Sequence, residues 1–222
     1  MAAQKRLNRD ELIATALAVA DAEGLDAVTV RRVAQAHDVT PMALYRHFPD
    51  KDGLLDAIAE RLLTGAVPPE PDGRPWHRQM HDLLSSLLAA LRPHPNATPL
   101  VLTRVMLSEA GLAVTERCLA LLAEGGLSVD EGAETACQVL SALVTLVVTE
   151  PGRMLGEDRQ AHEAALRTKR ASLLALDPAR YPHVVAAAAP LTDCPSDDAY
   201  YARGIDMIVT GMRGAAGARQ PV

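Results

Sequence analysis

Between Thr29 and Lys51 the chain sets hydrogen-bond donors at short intervals: Thr29, Arg31, Arg32, Thr40, Tyr45, Arg46, His47 and Lys51. Guanidinium and ammonium groups pair with phosphate, and arginine also matches the major-groove edge of guanine. Pro41, Met42 and Ala43 sit among them and offer small apolar surface. Such a set reads DNA when it is displayed on one face of a short helix. The other chemical candidates are His77 and His81, four residues apart and therefore on one helix face, where a pair of imidazoles holds a metal in zinc hydrolases. The run between them, Arg78-Gln79-Met80, lacks the glutamate of that arrangement, and nothing nearby clearly completes a ligand set. We assign no metal site, no catalytic residue and no cofactor.

The elements that must position the first set are legible from their ends. Asn8 with Glu11 three residues on forms a capping box, flanked by Leu7 and Leu12 at staple positions. Leu12, Ile13, Ala16, Leu17 and Ala20 recur at helical spacing, and Gly24 ends that helix. Thr29 caps a second helix with Val30, Val33 and Ala34 on its apolar side, and His37-Asp38 makes a turn. Thr40 caps a third, with Pro41 at its first position. Leu44 and Phe48 face inward, which leaves Met42, Tyr45 and Arg46 outward and His47 at the margin. Asp50 caps a fourth helix, Lys51 to about Thr64, whose N-terminus suits a phosphate. Two short helices joined by a tight turn are a helix-turn-helix, which projects its second helix into the major groove.

With 222 residues, abundant Ala and Leu and only 3% aromatics, the fold class is all-α. The net charge of −6 argues at first against a nucleic-acid partner. Charge acts over about 8–10 Å, however, so it must be read locally. Residues 28–51 carry Arg31, Arg32, Arg46 and Lys51 against Asp38 and Asp50, and Lys5, Arg6 and Arg9 precede the first acid. The expected footprint is small and basic. Cys118, Cys137 and Cys194 are widely spaced and odd in number, which favours a reducing compartment. The run LIATALAVA follows Asp10-Glu11 and reads as a capped helix, not a signal peptide. The longest uncharged stretch, 135–149, falls short of the roughly 20 residues of a membrane span. A soluble, cytoplasmic protein is expected.

Thr29, Ala34, Val39, Leu44, Tyr45, His47, Phe48, Lys51 and Leu54 carry a resemblance, over residues 7–63, to the DNA-binding domain of the tetracycline-repressor (TetR) family. The family consists of all-helical homodimeric transcription regulators, usually repressors released by a small ligand. The resemblance implies that Thr29 and Arg31, with Arg32, contact DNA from helix two. It implies that Thr40, Pro41, Met42, Ala43, Tyr45, Arg46 and His47 face the groove, with Tyr45 and Lys51 gripping phosphates. One departure is His37-Asp38, where the family usually has Leu-Gly; Asp accepts the left-handed conformation better than most residues.

The expected organisation is a helix-turn-helix domain at 1–50, a connecting helix at 51–64 and a helical ligand-binding and dimerisation domain at 65–222, entered through the Pro/Gly-rich connector 65–75. Further helices are expected at about 76–91, 98–110, 112–124, 129–150, 158–176 and 197–213. Candidate ligand-binding residues are Trp76, Met80, Leu84, Leu87, Leu102, Met106, Leu140 and Val144, around an aliphatic or amphipathic molecule. The apolar stripes of the last two long helices supply a candidate dimer interface: Ala136, Leu140, Val147, Tyr201, Ile205, Ile208 and Met212. Gly204 and Gly211 permit close approach on a neighbouring face. The expected partners are an inverted-repeat DNA operator, a second copy of the chain and an unidentified small molecule, with no membrane. The alternatives are a constitutive, architectural DNA-binding protein, which has no use for so large an apolar body, and a hydrolase built on His77 and His81, which leaves the N-terminal motif without a role.

Overall fold

The Asn8 side chain accepts the amide hydrogen of Asp10 and starts α1 (Arg9–Glu23), which Gly24 ends at a positive φ of 85°. Thr29 Oγ1 accepts from the Arg32 amide at 3.0 Å and starts α2 (Val30–Ala36). The turn that follows holds Asp38 at φ 54°, the one positive φ outside glycine among the described residues. His37 is tied down by its Nε2, 2.8 Å from Thr15 Oγ1. The Thr15 hydroxyl gives its hydrogen to the Glu11 carbonyl, so its oxygen is left to accept from the imidazole. A polar residue at this inward position is thus satisfied by a hydrogen bond to α1.

The structure, a computed structural model, describes residues 8–66, 68, 70–151, 159–193 and 196–217. Lys5, Arg6, Leu7, Cys194 and the expected first residue of the 158–176 helix lie outside them. No strand occurs among the described residues, and the fold is all-α. The third helix is shorter than its sequence suggests. Only Pro41–Leu44 (α3) is α-helical, and Tyr45–His47 continue as a turn in which the His47 and Phe48 amides both donate to the Leu44 carbonyl. Thr40 stands at the cap position but makes no side-chain cap bond. Asp50 caps α4 (Lys51–Thr64) through the Gly53 amide at 2.8 Å.

α4 is buried on more than one side, by Leu54, Leu55, Ile58, Leu62 and Leu63, because it packs against α1 of the reader and also against the body. In the body it meets α5 (Trp76–Leu91), α6 (Leu100–Arg104) and α7 (Glu109–Glu124). The helix expected at 98–110 is broken: α6 passes into a 3-10 turn, Val105–Leu107, and Ser108 caps α7 through the Gly111 amide. Gly111 makes this crossing possible, since a Cβ there would lie 1.8 Å from the Val105 carbonyl oxygen. α8 (Val129–Val148) follows; among the described residues it is the one helix long and apolar enough to cross a membrane, with mean hydropathy 1.3 and 28% of that stretch buried. It extends beyond the uncharged run because its first turn carries Asp130 and Glu131.

The chain divides into two compact units, and the division does not follow the Pro/Gly connector. One unit comprises residues 1–148 and 205–222, so reader and body share it. The other, 149–204, contains α9 (Arg159–Leu174), the short α10 (Pro182–Ala186), which the sequence pattern did not suggest, and the start of α11 (Asp197–Gly217). Within this second unit the Arg170 guanidinium bonds Thr192 Oγ1, the Ala189 carbonyl and Asp193.

The stripe expected to mediate self-association is largely covered within a single chain. Tyr201, Ile205, Met212 and Val147 are buried, and Ile208 is half-buried. Ala136 and Leu140 are half-buried and line a cavity. An apolar stripe at helical spacing must be covered, but the spacing does not say by which chain. On the adjoining face of α11 Met207 is 69% exposed and nothing lies within 4 Å of a Cβ built at Gly211.

Gly111→Ala is expected to force the Val105–Leu107 turn off α7 and to destabilise the protein by about 1–3 kcal/mol, the usual cost of overpacking. Urea denaturation measures it, and a variant as stable as the parent would mean that the turn can move freely.

Candidate nucleic-acid interface and small-molecule cavity

The reader surface is built by what it hides. Leu44 and Phe48 are buried, and their anchoring turns the intervening side chains outward. The Arg9 guanidinium lies 5.3 Å from the Phe48 ring centroid and covers its outer side. Met42 is then 70% exposed and Tyr45 47%, with Thr40, Pro41 and Arg46 also exposed and Ala43 and His47 intermediate. Arg31 and Lys51 are exposed at the start of α2 and α4. Among the described residues Arg31, Arg46 and Lys51 have no acidic partner. Arg32 differs: Glu23 of α1 holds its guanidinium at 2.7 Å, so part of its charge is already neutralised. Thr29 is half-buried, and its hydroxyl accepts the α2 cap bond. The reader thus exposes cations, hydroxyls and the apolar Met42 together. That is suited to phosphates and base edges, not to covalent chemistry.

Below the reader, α5, α6, the 3-10 turn, α7 and α8 enclose a cavity of about 380 Å³, within the usual size range of small-molecule sites. Five sequence candidates line it: Leu84, Leu87, Leu102, Met106 and Leu140. Three do not. Met80 and Val144 are buried away from it, and the Trp76 ring lies against Gly125 at the end of α7. Val105, Thr115, Cys118 and Cys137 join the wall, although the sequence did not mark them as ligand-binding candidates. Burial pushes the Cys118 thiol up to about 11, so it stays protonated near neutrality, whereas Cys137 is exposed. His77 and His81 line a different depression, and no group of three or more His, Cys, Asp or Glu is placed to hold a metal among the described residues.

One residue missing from the sequence reading joins cavity to reader. Arg104 stands between the wall residues Thr103 and Val105, and its guanidinium reaches α4, bonding Asp56 and, at 2.9 Å, Asp52. Its side chain is only 16% exposed. Burial acts against its charge, but the hydrogen bonds to Asp52 and Asp56 outweigh that and hold the guanidinium above its ordinary value. A further contact runs from the α5–α6 loop to α1: His94 Nδ1 lies 2.7 Å from Asp21 Oδ2, and Asn96 donates to the Asp21 carbonyl. Both ties join residues distant in sequence, which explains why local patterns do not reveal them.

A helix-turn-helix held on a helical body with an apolar cavity is the layout of a DNA-binding transcriptional regulator. The family model "Tetracyclin repressor-like, C-terminal domain" matches residues 67–215, and that of "Bacterial regulatory proteins, tetR family" matches residues 12–58. The chain belongs to the TetR family, whose members are transcriptional regulators and not enzymes. It is 29% identical over 167 residues to the HTH-type transcriptional repressor DrrR1 of Streptomyces coeruleorubidus, an alignment covering 73% of this chain and 57% of that protein. The structure of Streptomyces coelicolor ActR in complex with actinorhodin superposes with a TM-score of 0.78 and 28% identity, covering 96% of this chain and 99% of that one. BioQ with its double-stranded DNA operator gives a TM-score of 0.57 and 27% identity, over 73% of this chain and 95% of that one.

Arg46→Ala is expected to cost about 1–3 kcal/mol on a selected site and to relax sequence choice at one position, as for loss of a base contact. Equal losses on selected and random DNA would remove it from the base-reading set. Lys51→Ala should weaken all sequences alike and lower the salt slope by about one. Binding isotherms at several salt concentrations check both.

Proposed function

We propose that the chain is a ligand-responsive repressor that binds an inverted-repeat operator as a homodimer and is released by a small, largely apolar molecule. Thr29, Arg31, Thr40, Pro41, Met42, Ala43, Tyr45, Arg46, His47 and Lys51 meet the DNA, and Arg32, already paired, plays a smaller part. The observation that carries the ligand response is Arg104, which stands between the wall residues Thr103 and Val105 and grips Asp52 and Asp56 of α4. A ligand that pushes the 102–106 segment outward pulls on the helix whose first residue, Lys51, faces phosphate. Regulation needs no more than different affinity of the ligand for the two positions of that segment. The DrrR1 name describes a repressor, the ActR structure holds a small molecule, and the BioQ structure holds operator DNA.

Homodimerisation supplies the second reader. One helix-turn-helix covers few base pairs, while two related by a two-fold axis reach successive major grooves about 34–36 Å apart. The exposed face of α11 around Met207 and Gly211 is the part of the body suited to close helix contact with a second copy. Binding to the chromosome assigns the protein to the cytoplasm.

Selection of bound fragments from a random DNA pool tests the reading directly: recovered sequences should share an inverted repeat. Recovery without symmetry would sink the dimeric reader. Separately, Gly211→Arg should leave the fold unchanged, because nothing lies within 4 Å of the added Cβ, yet convert dimer to monomer in light scattering and abolish high-affinity operator binding. A folded, dimeric Gly211→Arg protein would move the interface elsewhere. A thermal-shift screen of aliphatic and amphipathic metabolites completes the test, since a ligand stabilises by mass action. Stabilising molecules that leave operator binding intact would favour a constitutive DNA-binding protein.

A further inference from the structure

A second depression of about 330 Å³ lies between the first turns of α5 and the C-terminal half of α11, and it shares no lining residue with the apolar cavity. Its wall is cationic. Arg74, Arg78 and Arg213 line it with His77 and His81, against Asp82 and Asp206. The formal charges balance once Asp72 is counted, but they are paired unevenly. Arg74 is held at 2.6 Å by Asp82 and also by Asp72, and Asp206 lies 3.7 Å from His81. Arg78 and Arg213 have no carboxylate within ion-pair distance among the described residues. Both guanidiniums bear on His77: burial, then the charge of Arg213 and that of Arg78, holds its imidazole below the ordinary histidine value. Two guanidiniums without carboxylate partners thus line one depression with an imidazole.

We propose that this depression is a second small-molecule site, taking a compact oxyanion, phosphate or carboxylate, between Arg78, Arg213 and His77. Guanidinium forks match the paired oxygens of either group, and the neutral imidazole can donate a further hydrogen bond. The volume accommodates a small organic acid or phosphate ester. Arg74 also lines the depression, and its carbonyl accepts from the buried Gln79 side chain. This site is independent of the ligand response proposed above; the two share only α5, which runs from one cavity to the other.

Trp76, the single tryptophan of the chain, reports on the site, because its ring stands edge-on to His77 at 5.9 Å. Inorganic phosphate and citrate, titrated separately into the full-length protein at constant ionic strength against chloride, should each be followed by Trp76 fluorescence and by melting temperature. A saturable response to either anion is expected, and the stronger one assigns the head group. The double variant Arg78→Ala/Arg213→Ala should weaken it at least tenfold, while Arg167→Ala, an exposed arginine on α9, should not change it. Both substituted side chains are exposed, so folding should survive, and a circular dichroism melt checks that. A response no larger than that to chloride, or one that persists undiminished in the double variant, would overturn the proposal.

Discussion

Everything in the first unit hangs on the packing of α4, one helix that has to complete two cores. Leu54, Leu55, Ile58, Leu62 and Leu63 are buried because α1 meets the helix on the reader side and α5, α6 and α7 meet it on the body side. A helix apolar on one stripe belongs to one core; a helix apolar over most of its circumference is a shared beam. Its position therefore cannot change without cost to both neighbours. That explains why the compact units do not separate at the Pro/Gly connector: the sequence boundary is a bend in the chain, while the packing continues across it.

The polar contacts follow from that arrangement. A buried guanidinium is costly unless its donors are met, and Arg104 meets most of its own on Asp52 and Asp56, although its Nε remains without a partner. Packed interfaces of this kind shift between discrete positions instead of deforming smoothly. The close crossing at Gly111, where no side chain fits, holds the 3-10 turn beside Arg104 and keeps the segment from relaxing independently of α7. The 102–106 segment of the cavity wall is thus tied to α4 through Arg104 and to α7 through the close crossing at Gly111.

How much was legible depended on sequence distance. The helix caps at Asn8, Thr29 and Asp50, the proline at the start of α3 and the left-handed turn at Asp38 are contacts of residues within a few positions of each other, and they read correctly. The helix at 98–110 was misread because its apolar content continues across Ser108, and only the capped restart of α7 betrays the break. Cavity walls were read in part: Leu84 and Leu87 line it, whereas Met80, at the same helical spacing, is filled over by its neighbours. The absence of atoms opposite a side chain leaves no mark on the chain itself.

The sequence by itself determined the helical class, the helix-turn-helix and its outward face, because these follow from periodicity, capping and turn chemistry that act locally. Only the tertiary structure decided which stripes are core and which remain free for a partner, and that Arg104 joins cavity to reader. It alone brought Arg213 of α11 to the depression that holds His77 and Arg78 of α5. Those outcomes rest on long-range packing, where any apolar stripe or charged side chain has several possible partners and the three-dimensional arrangement selects one.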